Sequence, residues 1–292
     1  MHGKICLVTG GTNGIGKSTA LGLARMGANV IIVGRNAQKT YLVVEEIRSA
    51  AGNKNVDSLL ADLSSQQDIR KLADEFRNKY SQLHVLINNA GGFYLKRQIS
   101  IDGIEMTFAL NHLAGFLLTN LLLDMIKASG HARIINVSSD AHASGKIDFD
   151  NLQGERHFSP GAYNNSKLAN ILFTTELARR LQGTGVTVNS LHPGFVATGF
   201  AKNNGKFIAL LISTLVPLVA RSAAKGAETS VYLASSSDVE GITGKYFFNS
   251  HPIPTAPQGN DMVVAEKLWN ISAEMVQLKD FQPHPLSPSL PG

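Results

Sequence analysis

The opening of the chain constrains it most. Lys4–Val8 is an apolar run that reads as a buried strand. It passes directly into Thr9-Gly10-Gly11-Thr12-Asn13-Gly14-Ile15-Gly16. A helical pattern follows over Lys17–Gly27, with Ala20, Leu21, Leu23 and Ala24 as its small and apolar contacts. A second apolar run, Asn29–Val33, comes next. Strand, Gly-rich turn, helix and strand in that order make a mononucleotide-binding unit. Its glycines let the backbone approach a pyrophosphate, and the helix N-terminus adds amide donors and a positive dipole end. Gly10, Thr12, Asn13, Gly14, Ile15 and Gly16 are therefore candidate cofactor contacts. A Gly-rich turn in some other α/β protein is the competing reading, because Gly-x-Gly alone is weak. Placement after the first strand and before a helix favours the cofactor.

The end of the second strand bears on which dinucleotide. An NAD site usually carries Asp or Glu there, bonded to ribose hydroxyls. This chain has Gly34-Arg35-Asn36. A guanidinium can receive the extra phosphate of NADP in a bidentate pair, which a carboxylate would repel. NADP(H) is the expected cofactor, with Arg35 reading the phosphate. Further on, Val56–Leu60 reads as a strand that runs into Ala61-Asp62-Leu63. Asp62 can accept a bond from an adenine amine or cap the helix starting near Ser65. Val85–Ile87 leads into Asn88-Asn89-Ala90-Gly91-Gly92. Small residues at a strand end suit a cofactor crevice, although Asn and Gly would also make a plain turn.

The remaining elements alternate. Helices are expected over Ala37–Ala50, Gln66–Tyr80, Gly103–Ser129 (bent or restarted near Asn111–Gly115), Gly161–Leu181, Arg221–Ser235 and Asp261–Met275. Strands are expected over Ala132–Val137, Val186–Leu191 and, as the last, Gly244–Phe248. Such alternation predicts an α/β fold, a Rossmann-type doubly wound and mostly parallel sheet with helices on both faces. A chain of 292 residues allows one large domain or two small ones. No linker divides it, so residues 1–280 are read as one dinucleotide-binding and catalytic domain. Within it, about 196–222 forms an apolar lid segment, and 281–292 is a Pro/Ser-rich tail.

The candidate chemistry lies between the serines and a tyrosine. Ser138-Ser139 end an apolar strand, and Tyr163-Asn164-Asn165-Ser166-Lys167 opens a helix. Residues spaced like Tyr163 and Lys167 share a helix face. An ammonium held near a phenol favours phenolate, so Lys167 is expected to make Tyr163 more acidic. A phenol so poised can exchange a proton with a substrate oxygen. An exposed Tyr and a solvated Lys are the ordinary alternative, and the Gly-rich opening tips the balance. Asn111 lies inside an apolar helical face, where an amide needs partners, the backbone among them. His192 precedes Pro193-Gly194, which force a turn, and no carboxylate is placed to orient its ring. A structural role is expected for it. Cys6 sits inside the first apolar run and is read as a core thiol.

Charge narrows the class. The net charge is +5 and is spread along the chain. That fits an anionic cofactor or loose attraction to an acidic membrane surface. No cluster of Lys and Arg with interleaved aromatics is present, so nucleic acid is not an expected partner. No metal ligand set is expected. No signal peptide precedes Lys4 and no run reaches transmembrane length, so a cytoplasmic protein is expected, with room for peripheral membrane contact.

Together these motifs resemble the classical short-chain dehydrogenase/reductase family over about residues 3–277. The resemblance rests on Thr9-Gly10-x-x-x-Gly14-x-Gly16, Asn88-Asn89-Ala90-Gly91, Asn111, Ser139, Tyr163-x-x-x-Lys167 and the Pro193-Gly194 turn. Three further stretches resemble the retinol dehydrogenase group: Asn111–Phe116, Ser166–Asn170 and Leu268–Ser272. The Ser139–Tyr163 interval is longer than the minimal family pattern and is similar to the insertion of that group. Several relatives carry a hydrophobic anchor ahead of the first strand; none is expected ahead of Lys4 here.

What the resemblance implies is specific. Tyr163 is the general acid/base, and Lys167 lowers its pKa and bonds the nicotinamide ribose. Ser139 holds the substrate oxygen, and Asn111 shapes a water route from Lys167 to solvent. Gly10, Thr12, Asn13, Gly14, Ile15, Gly16, Arg35, Asp62, Leu63, Asn89, Ala90, Gly91, Tyr163, Lys167, Pro193, Gly194, Val196 and Thr198 line the expected NADP(H) site. The expected substrate is a small apolar aldehyde, ketone or alcohol, retinoid-like in class. The apolar run Phe207–Ala220 and Phe93-Tyr94-Leu95 are placed to line its pocket, with ordinary core packing as the competing reading for both. A homodimer or homotetramer through the long helices is also implied. Two alternatives stay open: a dinucleotide-binding redox sensor or scaffold, and an enzyme like protochlorophyllide reductase. Relatives of the latter carry several cysteines, against the single Cys6 here.

Overall fold

In the computed structural model of the protein, residues 1–196 and 221–278 are described. Thr198, the apolar run 207–220 and the tail 281–292 lie outside them, as does nearly all of the expected lid segment.

The central strands are β1 (Ile5–Thr9), β2 (Asn29–Gly34), β3 (Val56–Leu60), β4 (Val85–Asn88), β5 (Arg133–Val137) and β6 (Thr187–Leu191). Apolar residues dominate β1, β2 and β4, whereas the other central strands interleave polar ones. The helices between them are α1 (Gly14–Arg25), α2 (Ala37–Ala51), α3 (Gln66–Lys79), α4 (Met106–Phe108), α5 (Ala114–Leu121), α6 (Leu123–Ala128) and α7 (Ala162–Arg180). Beyond residue 220 come α8 (Ala223–Ser235), β7 (Tyr246–Phe248), β8 (His251–Ile253) and α9 (Met262–Met275). Among the described residues the strands form one eight-stranded sheet, ordered β3-β2-β1-β4-β5-β6-β7-β8. Pairs from β3 through β7 are parallel, and β8 alone runs antiparallel.

Alternation along each strand sends side chains to two apolar layers. Cys6, Val8, Val30 and Ile32 pack with Leu23 of α1, Val43 of α2 and Leu233 of α8. Leu7, Ile31 and Leu86 pack with Phe76 of α3, Phe116 of α5, Leu172 of α7 and Trp269 of α9. Helices thus cover both faces of one doubly wound sheet, as expected. Burial pushes the Cys6 thiol up to about 12, which leaves it an inert core group.

The order of strands places the crevice. Strand order reverses between β1 and β4, and ligands of such sheets bind beyond the carboxyl ends at that point. The Gly-rich turn leaves β1 there, and Asn88–Gly92 leaves β4 there. The bend expected near Asn111 is a π-helical segment, Ala109–Leu113, between α4 and α5. The last strand is a correction. β7 is followed by β8 through a tight turn in which Asn249 and Ser250 adopt φ of 48° and 64°. Two such residues in succession suit a two-residue hairpin. Arg221 donates to Asn249 Oδ1 at 2.6 Å, and the Ser250 amide donates to Thr229 Oγ1 at 3.1 Å, which holds the turn. Among the described residues no helix is long and apolar enough to cross a membrane.

Candidate active site

The Gly-rich turn and the end of β4 form one unit. Gly10 and Gly14 have φ of 65° and 49°, which L side chains rarely adopt. A Cβ on Gly10 would lie 3.0 Å from the Ala90 Cα, and one on Gly16 would collide with Asn89 Nδ2 and the Gly10 carbonyl. Thr9 latches the two turns. Its hydroxyl donates to the Ile87 carbonyl at 3.2 Å and accepts from the Asn89 and Ala90 amides at 2.9 and 3.0 Å. Asn89 Nδ2 donates back to the Thr9 and Gly10 carbonyls at 2.8 and 3.4 Å. Asn89 therefore spends its amide side chain on shaping the turn. The Thr9 latch escaped the list of candidate residues. Its signal was a hydroxyl on the strand's last residue, directly before the first glycine.

Helix α1 differs from most of its neighbours. Asn36, Ser65, Ser222 and Asp261 cap α2, α3, α8 and α9 with their side chains. Asn13, in extended conformation before α1, makes no side-chain cap, and the first turn carries no acidic residue. The orphan amides of that turn are left to whatever anion approaches.

Arg35 follows β2 and is largely exposed, with its guanidinium 3.4 Å from Asp62 Oδ2. Asp62 Oδ1 accepts from both the amide and the hydroxyl of Ser64, at 3.0 and 2.7 Å. Partial burial raises the Asp62 carboxyl, but Ser64 and Arg35 outweigh that and hold it below the usual range. Ser65, not Asp62, caps α3 by accepting from the Asp68 amide at 3.2 Å. The Leu63 side chain is buried in the core beside Ala61 and Ile69.

Across the crevice, Ser139, Tyr163, Lys167, Asn111 and Gly91 come together. Ser138 Oγ donates to the Lys167 carbonyl at 2.7 Å and ties β5 to α7. Ser139 opens a 3-10 turn, Asp140–Ser144, and its hydroxyl is hydrogen-bonded to the Tyr163 phenol. Tyr163 lies in the first turn of α7, with Phe93 edge-on to it at 5.6 Å between centroids. Lys167, one turn further and buried, places Nζ 5.5 Å from the Tyr163 ring centroid and donates to the Val137 carbonyl at 3.1 Å. A Cβ on Gly91 would sit 3.1 Å from Asn111 Oδ1 and 3.6 Å from Lys167 Nζ.

Asn111 acts as a clamp. Its Oδ1 accepts from the Gly92 amide at 2.7 Å, and its Nδ2 donates to the Gly92 carbonyl and to Ser166 Oγ, both at 3.0 Å. Ser166 Oγ in turn donates to the Tyr163 carbonyl at 2.7 Å. The π segment aims the amide at both the β4 end and α7, and such bulges recur at functional sites. Ser166 is a second residue that sequence reasoning passed over, although it stands beside Lys167.

The proton affinities correct one expectation. Burial pushes the Tyr163 phenol above its usual range; the Ser139 hydrogen bond opposes this and Asp140 adds to it. Burial pushes Lys167 down to about 8. Lys167 was expected to make the phenol acidic. Instead, burial raises the phenol, and the groups that act on it are Ser139 and Asp140; the Lys167 ammonium sits 5.5 Å from the ring centroid and bonds the Val137 carbonyl. The phenol is therefore held as a proton donor at neutral pH.

The turn after β6 closes the crevice. Gly194 has φ of 78°, and the Arg221 side chain lies 3.1 Å from where its Cβ would be. Val196 is buried and forms a parallel bridge with Arg221. Gly226 of α8 lets Val196 and Ile15 pack against that helix, at 2.7 and 3.3 Å from the position of a Cβ. This brings the Pro193–Val196 turn against the Gly-rich turn. His192 is buried and stacked on Phe248 at 4.1 Å, the packing role expected of it.

Residues 4–208 match the short chain dehydrogenase family. The protein belongs to that family. Retinol dehydrogenase 13 of Homo sapiens is 43% identical to it over 283 residues, which cover 95% of this chain and 86% of the relative. An uncharacterized protein from Mycobacterium Paratuberculosis has a similar crystal structure, with a TM-score of 0.77, 31% identity and 94% of each chain covered. The Pseudomonas aeruginosa RhlG/NADP active-site complex aligns with a TM-score of 0.68 at 27% identity, covering 89% of this chain and 97% of the other. The chain is thus a short-chain dehydrogenase of the retinol dehydrogenase-like group and an NAD(P)H-dependent oxidoreductase.

Proposed function

We propose that this dehydrogenase uses NADP(H) to interconvert an apolar aldehyde or ketone and its alcohol. The observation that carries this is the cluster of the Ser139 hydroxyl, the Tyr163 phenol and the Lys167 ammonium at the carboxyl ends of β4 and β5, facing a glycine cradle. The cradle suits a dinucleotide. Gly10 and Gly16 leave room where a Cβ would not fit, and α1 offers uncapped amides for a pyrophosphate. Gly10, Thr12, Asn13, Gly14, Ile15 and Gly16 would hold the phosphates, and Asp62, Leu63, Ala90 and Gly91 the adenosine and ribose. Asn89 would act indirectly, through the turn it shapes. Pro193, Gly194 and Val196 would flank the nicotinamide, which Tyr163 and Lys167 also approach. Arg35, exposed and free of any partner closer than Asp62 at 3.4 Å, would take the extra phosphate.

When bound, the nicotinamide supplies or accepts the hydride. The chain's own residues manage the oxygen. Ser139 and Tyr163 donate to the substrate oxygen, where negative charge develops during reduction. Tyr163, kept protonated by burial, then passes its proton to that oxygen. Lys167, lowered by burial to about 8, would supply the proton that restores the phenol. Asn111 holds the β4 end and α7 at fixed separation while this happens. Phe93 against Tyr163 and the buried Tyr94 give the substrate side an apolar wall. That wall and the retinol dehydrogenases among the relatives support a retinoid or similar long apolar carbonyl.

The test is NADPH consumption against a panel of aldehydes and ketones that includes all-trans-retinal, with Tyr163→Phe as control. Turnover of apolar carbonyls that disappears in the variant is expected. No turnover of any carbonyl, or unchanged turnover in Tyr163→Phe, would overturn the proposal.

A further inference from the structure

We infer that His142 is a positioning residue for Ser139, bracing it against the segment that follows β8. It deepens the proposed function, since it rests on Ser139 being the donor to the substrate oxygen.

His142 lies in the 3-10 turn that Ser139 opens, and it is buried. Its Nδ1 is 2.8 Å from the Ser139 carbonyl oxygen. Its Nε2 is 3.1 Å from the Ala256 amide. A carbonyl only accepts, so Nδ1 must carry the proton; a backbone N–H only donates, so Nε2 must be bare. Both partners thus select one neutral tautomer, and neither is a solvent-exposed side chain that could swing away.

The ring is also walled in. Tyr246 of β7 meets it edge-on at 4.8 Å, and His192 stacks behind Tyr246 at 5.6 Å. Phe248 stacks on His192 at 4.1 Å, and the Arg221 guanidinium lies 4.9 Å over Phe248. A column of rings therefore runs from the Pro193–Gly194 turn to the serine. At its end, His142 holds the main chain of Ser139 from inside the protein.

Ser139 needs such support. Its hydroxyl otherwise bonds the exposed Asp140 carboxylate at 3.1 Å and the Ala141 amide at 3.2 Å, both within its own turn. Those bonds move with the turn, and the remaining one, to the Tyr163 phenol, gives way when both hydroxyls turn to a substrate oxygen. The His142–Ala256 bond reaches across to a separate element, 114 residues further along the chain. A displacement of about 1 Å at a reacting group costs on the order of 100-fold in rate. The brace is thus worth up to that factor in kcat and little in dinucleotide affinity.

The experiment is a double-mutant cycle on kcat: wild type, His142→Phe, Ser139→Ala and the double variant, with NADPH affinity measured for each. His142→Phe is expected to lower kcat about 10- to 100-fold with NADPH affinity unchanged. In the Ser139→Ala background the same substitution should cost less than about threefold, because the group it positions is gone. Unchanged kcat in His142→Phe, or an equal loss in both backgrounds, overturns the inference. If His142→Phe does not fold and bind NADPH, His142→Asn replaces it in the cycle. That variant keeps a donor for Ser139 and loses the bond to Ala256. It is expected to lose several-fold in kcat, again only where Ser139 is present, and no loss or an additive one overturns the inference. Wild-type turnover separates this from the parent proposal: an inactive wild type sinks the catalytic reading, whereas an active wild type with an additive cycle sinks only the brace.

Discussion

The two walls of the crevice are built from different material. Between Gly10 and Gly16 the functional groups are backbone: main-chain amides, left-handed glycines and the absence of a cap on α1. Between Ser139 and Lys167 they are side chains, each held by another side chain or carbonyl from a distant part of the chain. Asn111 reaches Ser166, Ser138 reaches the Lys167 carbonyl, and His142 reaches Ala256. A backbone wall tolerates almost nothing added to it, and a side-chain wall tolerates almost nothing removed. The contrast also explains the electrostatics. Amide donors need no particular burial, whereas burial is what raises Tyr163 and lowers Lys167.

The hardest blow to the side-chain wall is Tyr163→Phe. The substitution removes one oxygen and leaves the ring that packs on Phe93. A positioned acid or base is worth about 10²- to 10⁴-fold, so kcat should fall by that much. NADPH affinity should stay within a few-fold, because the opposite wall is untouched. Fluorescence titration with NADPH beside steady-state kinetics separates the two. Loss of binding in step with kcat would mean that the walls are not independent.

A second test asks whether burial sustains the side-chain wall. His112, next to Asn111 in the π segment, is buried, and its Nε2 lies 2.9 Å from Ser272 Oγ of α9. Burial pushes it from 6.5 down to about 4, with the Asn170 side chain opposing. Between those values the unfolded chain takes up a proton that the folded chain refuses. This stability is complete above pH 6.5 and is lost as pH falls toward 4. Its full extent is about 3 kcal/mol, from the size of the shift. His112→Gln keeps the length to reach Ser272 and cannot titrate. Urea unfolding at pH 7 and pH 4.5 should show a smaller loss in the variant than in wild type. Equal losses would mean that carboxylates alone set the acid limb.

These differences also decide what could be seen before the fold was known. The glycine wall was legible because its demands are local: positive φ, close approach and a following helix sit within one short motif. Helix limits were read to within a few residues wherever a cap or a glycine marked them, as Asn36 and Gly52 do for α2. The bend near Asn111 was visible as a polar residue in an apolar run, but its π geometry depends on bonds to Gly92 and Ser166. Strand β8 was missed because it holds three residues, one of them Pro252, and exists only by pairing with β7. The direction of the Tyr163 shift was misjudged for a related reason. Spacing along a helix reports who the neighbours are, and burial of a phenol is set by elements far away in sequence.

The backbone wall should break by addition. A Cβ placed on Gly16 meets Asn89 Nδ2 and the Gly10 carbonyl, neither of which is the loose end of a long side chain. Gly16→Ala should therefore widen the turn and cost about 1–3 kcal/mol. In NADPH affinity that is roughly 5- to 150-fold. The same substitution should leave the kcat of saturated enzyme within a few-fold, the mirror image of Tyr163→Phe. A fall in kcat with affinity intact would show that the turn also sets the geometry of the far wall.

The smallest effect sharpens the cofactor choice. Arg35 is expected to act through its side chain, and it is mostly exposed. A charge pair there is screened by solvent, so Arg35→Ala should weaken NADPH by only about three- to tenfold. NADH, which lacks the phosphate, should bind the variant as it binds wild type, or slightly better. The Asp62 carboxylate is then freed of its guanidinium partner 3.4 Å away and can face a ribose hydroxyl. Adding Asp62→Asn to Arg35→Ala should remove any gain in NADH affinity while leaving that for NADPH unchanged. Equal weakening of both dinucleotides in Arg35→Ala would assign Arg35 to the shape of the wall and not to the phosphate.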